Sequence, residues 1–194
     1  ALPPFTPLTL ERIHVPATED ECGQAAAEIS RHGYVGFDTE SKPTFHKGEA
    51  STGPHVVQFA TSERAWLFQV NNPASRAAIA SLLGSTTTVK VGFGLKSDRS
   101  HIRARLGAPL RAVLDLTTWF RQEGYRNEIG VKTAVAIVLG QQFSKSKRMS
   151  TSNWSLPTLS SGQQVYAAND AYGAIAVFNA LNAGAAGAER RWPI

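Results

Sequence analysis

Three short apolar runs constrain the fold of this chain more than any other feature of its sequence. Residues 34–38, 55–60 and 65–70 are rich in β-branched and aromatic side chains, which is typical of strands. The second and third runs are separated by the short polar segment 61–64, which is suited to a turn between antiparallel neighbours. The sequence therefore predicts a three-stranded antiparallel meander in the first half of the chain.

Helix and strand patterns alternate around and after this meander. A helix beginning near Thr18 or Asp20 precedes it and stops at Gly33, and residues 41–54 predict a loop. The later expected elements are a helix to Gly84, a strand at 89–93, a helix at 96–106, a strand at 112–116, a helix near 131–139, a polar loop at 140–157 and a long helix at 160–182. This order favours an α/β fold, with a mixed sheet and helices on both faces.

Length and composition indicate a single domain. With 194 residues, of which 42% are hydrophobic, the chain suits one buried core and is short for two domains. Four prolines make residues 1–16 an expected extended arm, and the Gly- and Ala-rich segment 183–194 is an expected flexible tail. We expect one domain over residues 1–194.

The cysteine count and the hydropathy pattern limit the environment. Cys22 is the only cysteine, which excludes an intrachain disulfide and a cysteine-based zinc site and favours a reducing compartment. No apolar run approaches the roughly 18 residues that span a bilayer. The expected location is therefore cytoplasmic, without a membrane partner.

The chain is basic, with 20 Lys and Arg against 15 Asp and Glu and a net charge of +5. This balance permits a polyanionic partner such as nucleic acid, although many basic proteins bind none. The oligomeric state is left open.

Two acids at the end of the first meander strand are candidate metal ligands. Side chains alternate along a strand, so Asp38 and Glu40 project on one side while Thr39 points away. Two carboxylates about 4 Å apart repel by roughly 4 kcal/mol at an effective dielectric near 20, and a shared cation relieves this repulsion. The alternative is a strand that ends in a solvated acidic turn, the commoner context of an isolated Asp-x-Glu.

Further candidates lie in two of the predicted helices. Tyr166 and Asp170 are four residues apart, so they share one helix face, and an Asp beside an apolar face needs a partner. A core Tyr with an exposed Asp is the alternative. Asp98 lies in a first helical turn, where an acid commonly balances the helix dipole.

The order of these residues is more specific than any one of them. A strand Asp-x-Glu, an Asp between strand and helix and a helical Tyr-x-x-x-Asp follow one another at intervals of about sixty to seventy residues. The sequence resembles the tyrosine-bearing subclass of the DEDD exonuclease superfamily, which includes ribonuclease D and the Werner syndrome exonuclease domain. The matching motifs are VGFDTESKPTF, KVGFGLKSD and QQVYAANDA.

This resemblance implies a ribonuclease H-like three-layer fold and a 3′–5′ exonuclease that acts on DNA or RNA with a free 3′ end. Asp38, Glu40 and Asp170 would hold the cation that activates water, and Asp38 would bridge to a second cation supported by Asp98. All-oxygen ligands favour Mg²⁺ or Mn²⁺, and two such cations stabilise the attacking and leaving oxygens. Tyr166 would orient the water, and the products would be nucleoside 5′-monophosphates.

Substrate contacts are expected around these acids. By resemblance, the positions that grip the terminal nucleotides are Thr39, Phe45, Phe93, Gly94 and Leu95. Lys145 lies on a Ser-rich loop with Lys147 and Arg148. These basic side chains either contact phosphates or are simply solvated. Trp154 stacks on a base or packs as an anchor of that loop.

Parts of this pattern also occur in other classes of protein. Gly92-Phe93-Gly94 after a strand is reminiscent of dinucleotide-binding proteins, but the position of the third glycine holds Ser97. Paired carboxylates also occur in glycosidases. The main alternative is a catalytically inactive nuclease-like domain that binds nucleic acid or a protein partner.

Overall fold

One mixed sheet organises the residues that the computed structural model describes, which are 1–184 and 192–194. Its strands are β1 (Ile13–His14), β2 (Tyr34–Glu40), β3 (Val56–Ala60), β4 (Ala65–Gln69), β5 (Val89–Gly92) and β6 (Val113–Asp115). The spatial order is β1-β4-β3-β2-β5-β6. Strands β2, β3 and β4 are antiparallel neighbours, which confirms the meander, and β5 and β6 continue the sheet parallel to β2.

Helices cover both faces of the sheet, as expected for an α/β fold. One hydrophobic cluster joins one face to α1 (Glu19–Ile29), α2 (Arg76–Gly84) and α3 (Lys96–Leu106). The other cluster joins the opposite face to α4 (Leu116–Gln122), α5 (Val131–Leu139) and α7 (Ser161–Ala183). The short helix α6 (Lys147–Ser150) lies in the connection before α7, and 3₁₀ turns occur at Leu10–Arg12 and Pro73–Ser75.

The three parallel strands β2, β5 and β6 end at the same edge of the sheet. Gly92 is paired with Asp115 at the ends of β5 and β6. Asp38 and Glu40 lie in the last three residues of β2, and α3 and α4 begin at this edge. The strand ends therefore bring polar side chains from separate parts of the sequence together.

A close approach between α7 and β2 fixes the position of the last helix. A Cβ added at Gly36 would overlap the carbonyl oxygen of Ala171 and would lie 2.8 Å from its carbonyl carbon. Ala171 is the residue after Asp170. Only glycine allows this approach, and it holds the acid of α7 against the acids of β2.

Some elements differ from the sequence-based expectation. The strand predicted at 112–116 ends at Asp115, because the Asp115 side chain caps α4 by accepting a hydrogen bond from Thr117 N. The polar loop predicted at 140–157 contains α6, which Ser146 caps. The arm at 1–16 carries a 3₁₀ turn and β1, which pairs with β4.

The end of the chain is described only in part. Of the tail predicted at 183–194, residues 185–191 lie outside the described residues. Ala183 closes α7, and the Trp192 ring lies 4.9 Å from that of Phe178. Within the described segments, no helix combines the length and apolar character needed to cross a membrane.

Candidate active site

Three carboxylates meet between β2 and α7. Oxygen atoms of Asp38, Glu40 and Asp170 all lie within 4.8 Å of one another. Asp170 is only 4% exposed, and the other two acids are partly buried. Residues from opposite ends of the sequence thus form one compact acidic cluster, as the order of the motifs indicated.

Gln58 links this cluster to the sheet and to α7. It is the ladder partner of Asp38 on β3. Its side-chain amide donates to Glu40 Oε1 at 3.3 Å and to the carbonyl oxygen of Ala167 at 3.2 Å. This buried amide therefore orients Glu40 toward the helix, a role that the sequence did not reveal.

Burial disfavours the ionised form of all three carboxylates. Burial raises the pKa of Asp38 well above its usual range, and the Asp170 carboxylate adds to the rise. Burial and then the two neighbouring acids raise the pKa of Glu40. Burial also raises the pKa of Asp170, although Lys145 opposes this effect. A cation shared by these oxygens would favour their charged forms.

Lys145 is the positive group beside the acids. Its Nζ lies 3.4 Å from Asp170 Oδ1 and 5.7 Å from the centre of the Tyr166 ring. Burial disfavours its charged form, but the neighbouring carboxylates outweigh burial and raise the pKa of Lys145. Asp170 Oδ1 accepts no hydrogen bond from the described residues, so the contact is one of charge, and this oxygen remains suited to a metal.

Asp98 lies beside the acidic cluster rather than inside it. It lies in the first turn of α3 and shares a cavity of about 460 Å³ with Asp38 and Asp170. Burial raises the pKa of Asp98, while His101 opposes the rise. The same cavity is lined by four of the predicted substrate contacts, Thr39, Phe93, Gly94 and Lys145.

Tyr166 stands one helical turn before Asp170 and faces the same acids. Burial raises the pKa of its phenol, and the negative charges of Asp170, Glu40 and Asp38 raise it further. The phenol is therefore neutral at physiological pH and is able to donate a hydrogen bond.

Trp154 supports Tyr166 and does not offer a face to a base. The indole is 1% exposed, lies 5.9 Å from the Tyr166 ring and donates to the carbonyl oxygen of Ser150 at 3.4 Å. Its assignment as a substrate contact is corrected in favour of the packing alternative, because a side chain this buried cannot stack on nucleic acid.

Asp115 shapes the loop that follows β5 and was missed by the sequence reasoning. Its carboxylate accepts hydrogen bonds from Gly94 N at 3.0 Å and Leu95 N at 2.9 Å. Gly94 has a left-handed backbone, with φ of 64°. Leu95 is 1% exposed, so its side chain packs in the core and is not a nucleotide contact as predicted. The only sequence signal for Asp115 was an acid at the end of a strand.

The N-terminal arm is also part of the site. Leu8 exchanges two hydrogen bonds with the Asn169 side chain, at 2.8 and 3.1 Å, directly before Asp170. The arm and α7 enclose a mainly apolar cavity of about 760 Å³, with Phe5, Phe143 and Tyr166 on its walls. No local sequence pattern marks this contact, which joins residues 161 positions apart.

The loop between β2 and β3 carries one exposed aromatic ring. Phe45 is 75% exposed, which leaves it available for the predicted nucleotide contact. The loop is tied to the sheet by the buried His55, whose ring accepts from Lys42 N at 2.9 Å and bonds Thr52 Oγ1 at 3.0 Å.

Sequence comparison identifies the family to which the chain belongs. Residues 13–184 match the family model of the 3′–5′ exonuclease domain. The chain therefore belongs to the 3′–5′ exonuclease family, a family of hydrolytic nucleases, and the DEDD assignment made from the motifs is confirmed.

Individual relatives agree with this assignment. The chain is 29% identical over 150 residues to the mouse bifunctional 3′–5′ exonuclease/ATP-dependent helicase WRN, covering 76% of this chain and 11% of that protein. It is 27% identical over 150 residues to a 3′–5′ exonuclease of Arabidopsis thaliana, covering 76% of this chain and 52% of that one. The chain thus spans about half or less of these two relatives.

Solved structures share the fold. The EXO domain of Aedes aegypti Nibbler superposes with a TM-score of 0.77 at 22% identity, covering 93% of both chains. Escherichia coli RNase D gives a TM-score of 0.74 at 16% identity, over 89% of this chain and 46% of that one. At these identities the likeness confirms the ribonuclease H-like architecture.

Proposed function

We propose that this chain is a metal-dependent 3′–5′ exonuclease that hydrolyses phosphodiester bonds of DNA or RNA and releases nucleoside 5′-monophosphates. The observation that carries the proposal is the meeting of Asp38, Glu40 and Asp170 within 4.8 Å, one turn from Tyr166. The same side chains are those that the family motifs select.

The donor set fits Mg²⁺ or Mn²⁺. All the candidate ligands are carboxylate oxygens, which hard divalent cations prefer. The buried Asp170 Oδ1 accepts no hydrogen bond from the described residues. Burial raises the pKa of each acid in the trio, and the neighbouring carboxylates add to the rise at Asp38 and Glu40. Two divalent cations bound there would activate water and offset charge on the leaving oxygen.

The protein groups then have separate roles. Asp38, Glu40 and Asp170, whose oxygens lie within 4.8 Å of one another, would hold one cation, and Asp38 and Asp98, which line the same cavity, would hold the other. The neutral phenol of Tyr166 donates a hydrogen bond that orients the attacking water. Lys145 contacts a phosphate oxygen of the bound strand, because its ammonium already faces the cavity.

The cavity of about 460 Å³ suits the terminal nucleotide. Thr39, Phe93 and Gly94 form its polar and aromatic walls, and the exposed Phe45 contacts a neighbouring base. A free nucleic-acid 3′ end is therefore the proposed substrate. The fold shared with a Trypanosoma brucei RNase D that was solved in complex with RNA U12 supports RNA as one candidate substrate.

The test is digestion of matched 5′-labelled DNA and RNA oligonucleotides, with products identified by mass. We expect stepwise shortening from the 3′ end with Mg²⁺ or Mn²⁺ and none in EDTA. Asp38→Asn should abolish shortening, whereas Asp20→Asn, which alters an exposed acid of α1, should not. Absence of shortening of both polymers with either metal would overturn the proposal and favour an inactive binding domain.

A further inference from the structure

Helix α3 holds more than half of the net positive charge of the chain. Its eleven residues contain one acid, Asp98, and four basic side chains, so the helix contributes +3 to the overall +5. The acid faces the active-site cavity. The basic side chains are therefore not balanced by acids of their own helix.

Three of the basic side chains form a stripe on the solvent face of α3. Lys96, Arg99 and Arg103 are spaced by three and four residues, which places them along one side of a helix. All three are exposed, whereas Ile102 of the same helix is buried in the core. Within residues 1–184 and 192–194, none of the three forms a salt bridge or a side-chain hydrogen bond with the protein.

The stripe begins where the active-site cavity ends. Gly94 lines that cavity, and Lys96 follows it by two residues, so their Cα atoms are at most about 7.6 Å apart. From Lys96 to Arg103 the helix rises about 10 Å. One strand of B-DNA carries a phosphate every 3.4 Å along the axis, so this length matches about three phosphates.

We propose that Lys96, Arg99 and Arg103 form a phosphate-binding track for the nucleic-acid strand that extends from the active site. The track binds the sugar-phosphate backbone of nucleotides upstream of the scissile bond and reads no bases. This inference rests on the proposed function, because it takes the strand end to lie in the cavity beside Asp98. It gives a role to basic groups that have no salt-bridge partner among the described residues and that share a helix with Asp98.

Salt dependence of binding tests the track directly. Binding of a fluorescein-labelled 15-nucleotide strand is followed by anisotropy from about 50 to 200 mM salt, in an Asp38→Asn background that prevents cleavage. Each single-strand phosphate contact contributes about 0.7 to the slope of log K against log salt. Replacing Lys96, Arg99 and Arg103 with Gln should therefore lower the slope by about 2, and Gln preserves helix propensity.

A control variant that loses the same number of positive charges distinguishes an effect of the track from an effect of net charge. Arg12, Arg31 and Arg111 are exposed and precede the parallel strands β1, β2 and β6, at the end of the sheet opposite the site. Their replacement with Gln removes the same charge and should change the slope by less than about 0.5. Equal slope losses in both triple variants, or no loss in the stripe variant, would overturn the track.

A second readout keeps this inference separate from the proposed function. With Asp38 intact, the stripe variant should show a raised KM for the 15-nucleotide strand. Its kinetics should be unchanged for a dinucleoside monophosphate, whose only phosphate is the scissile one and which therefore offers no upstream phosphate to the track. Arg99→Lys with Arg103→Lys should restore the slope, because the charge is kept. If the wild type cuts neither polymer but the slope falls only in the stripe variant, the exonuclease proposal fails while phosphate binding by α3 stands.

Discussion

Because Gly36 lies against α7, the geometry of the acidic cluster depends on the absence of a side-chain carbon at position 36. In Gly36→Ala, the new Cβ would lie 2.8 Å from the Ala171 carbonyl carbon and nearer still to its oxygen. Ordinary carbon contacts are about 3.5 Å or longer. Helix α7 must therefore retreat from β2 by about 1 Å, and Asp170 moves with it.

The expected effects are a loss of activity and a smaller loss of stability. Overpacking costs about 1–3 kcal/mol in the free energy of unfolding. For a chain of this size a loss of about 2 kcal/mol lowers Tm by roughly 4–8 °C. Since misplacement of a catalytic group by about 1 Å can lower the rate by about 10²-fold, we expect kcat for oligonucleotide hydrolysis to fall by about that factor.

The assay pairs hydrolysis kinetics with thermal unfolding, and Gly33→Ala is the control. An added Cβ at Gly33 meets no atom within 4 Å, and the residue lies just before β2. This control should change the free energy of unfolding by less than about 1 kcal/mol and leave kcat unchanged. If Gly36→Ala keeps its Tm within 1 °C and its kcat within twofold of the wild type, α7 does not rest on β2 in the way described.

Three further predictions concern the carboxylates of the acidic cluster, the phenol of Tyr166 and the loop that follows β5. Because burial raises the pKa of Asp38 and Glu40, the metal-free folded protein holds protons on these groups more tightly than the unfolded chain does. Ionisation of the two acids at higher pH therefore destabilises the fold. Thermal stability in EDTA should therefore fall as the pH rises from about 4, and Mg²⁺ should prevent this fall. An increase in stability over the same pH range would contradict the raised pKa values. Tyr166→Phe should lower kcat by about 10²-fold and leave the Mg²⁺-induced rise in Tm intact, whereas loss of that rise would point to a structural role. Asp115→Asn weakens charge-assisted hydrogen bonds to Gly94 and Leu95, so KM should rise more than kcat falls, and an unchanged KM would separate this loop from substrate binding.

Elements that depend on local pattern were predictable from the sequence. The meander follows from runs of strand-forming residues, and α7 follows from its capping box at Ser160 and Gln163. The acids Asp38 and Asp170 were predictable as partners only through the order of the family motifs. Their actual contact depends on Gly36, whose role becomes visible once the helix lies on the strand.

The supporting residues could not be predicted, because their roles depend on contacts that no local pattern records. Asn169 binds Leu8 across 161 positions, and Gln58 reaches Ala167 across 109. Trp154 illustrates the opposite error, since an aromatic residue on a polar loop looks exposed in the sequence and is buried in the fold. Side-chain type indicates which chemistry is available, while long-range packing decides which residues supply it.

Charge at the site connects metal binding to substrate binding in the proposed function. When ionised, Asp38, Glu40 and Asp170 carry three negative charges, and the ammonium of Lys145 offsets one of them. One divalent cation would therefore neutralise the cluster in the absence of substrate. A second cation beside an ionised Asp98 would leave one positive charge in excess. The scissile phosphate of a bound strand would balance that charge. Since uncompensated charge in a partly buried site is costly, the second cation is expected to bind together with the nucleic acid rather than before it.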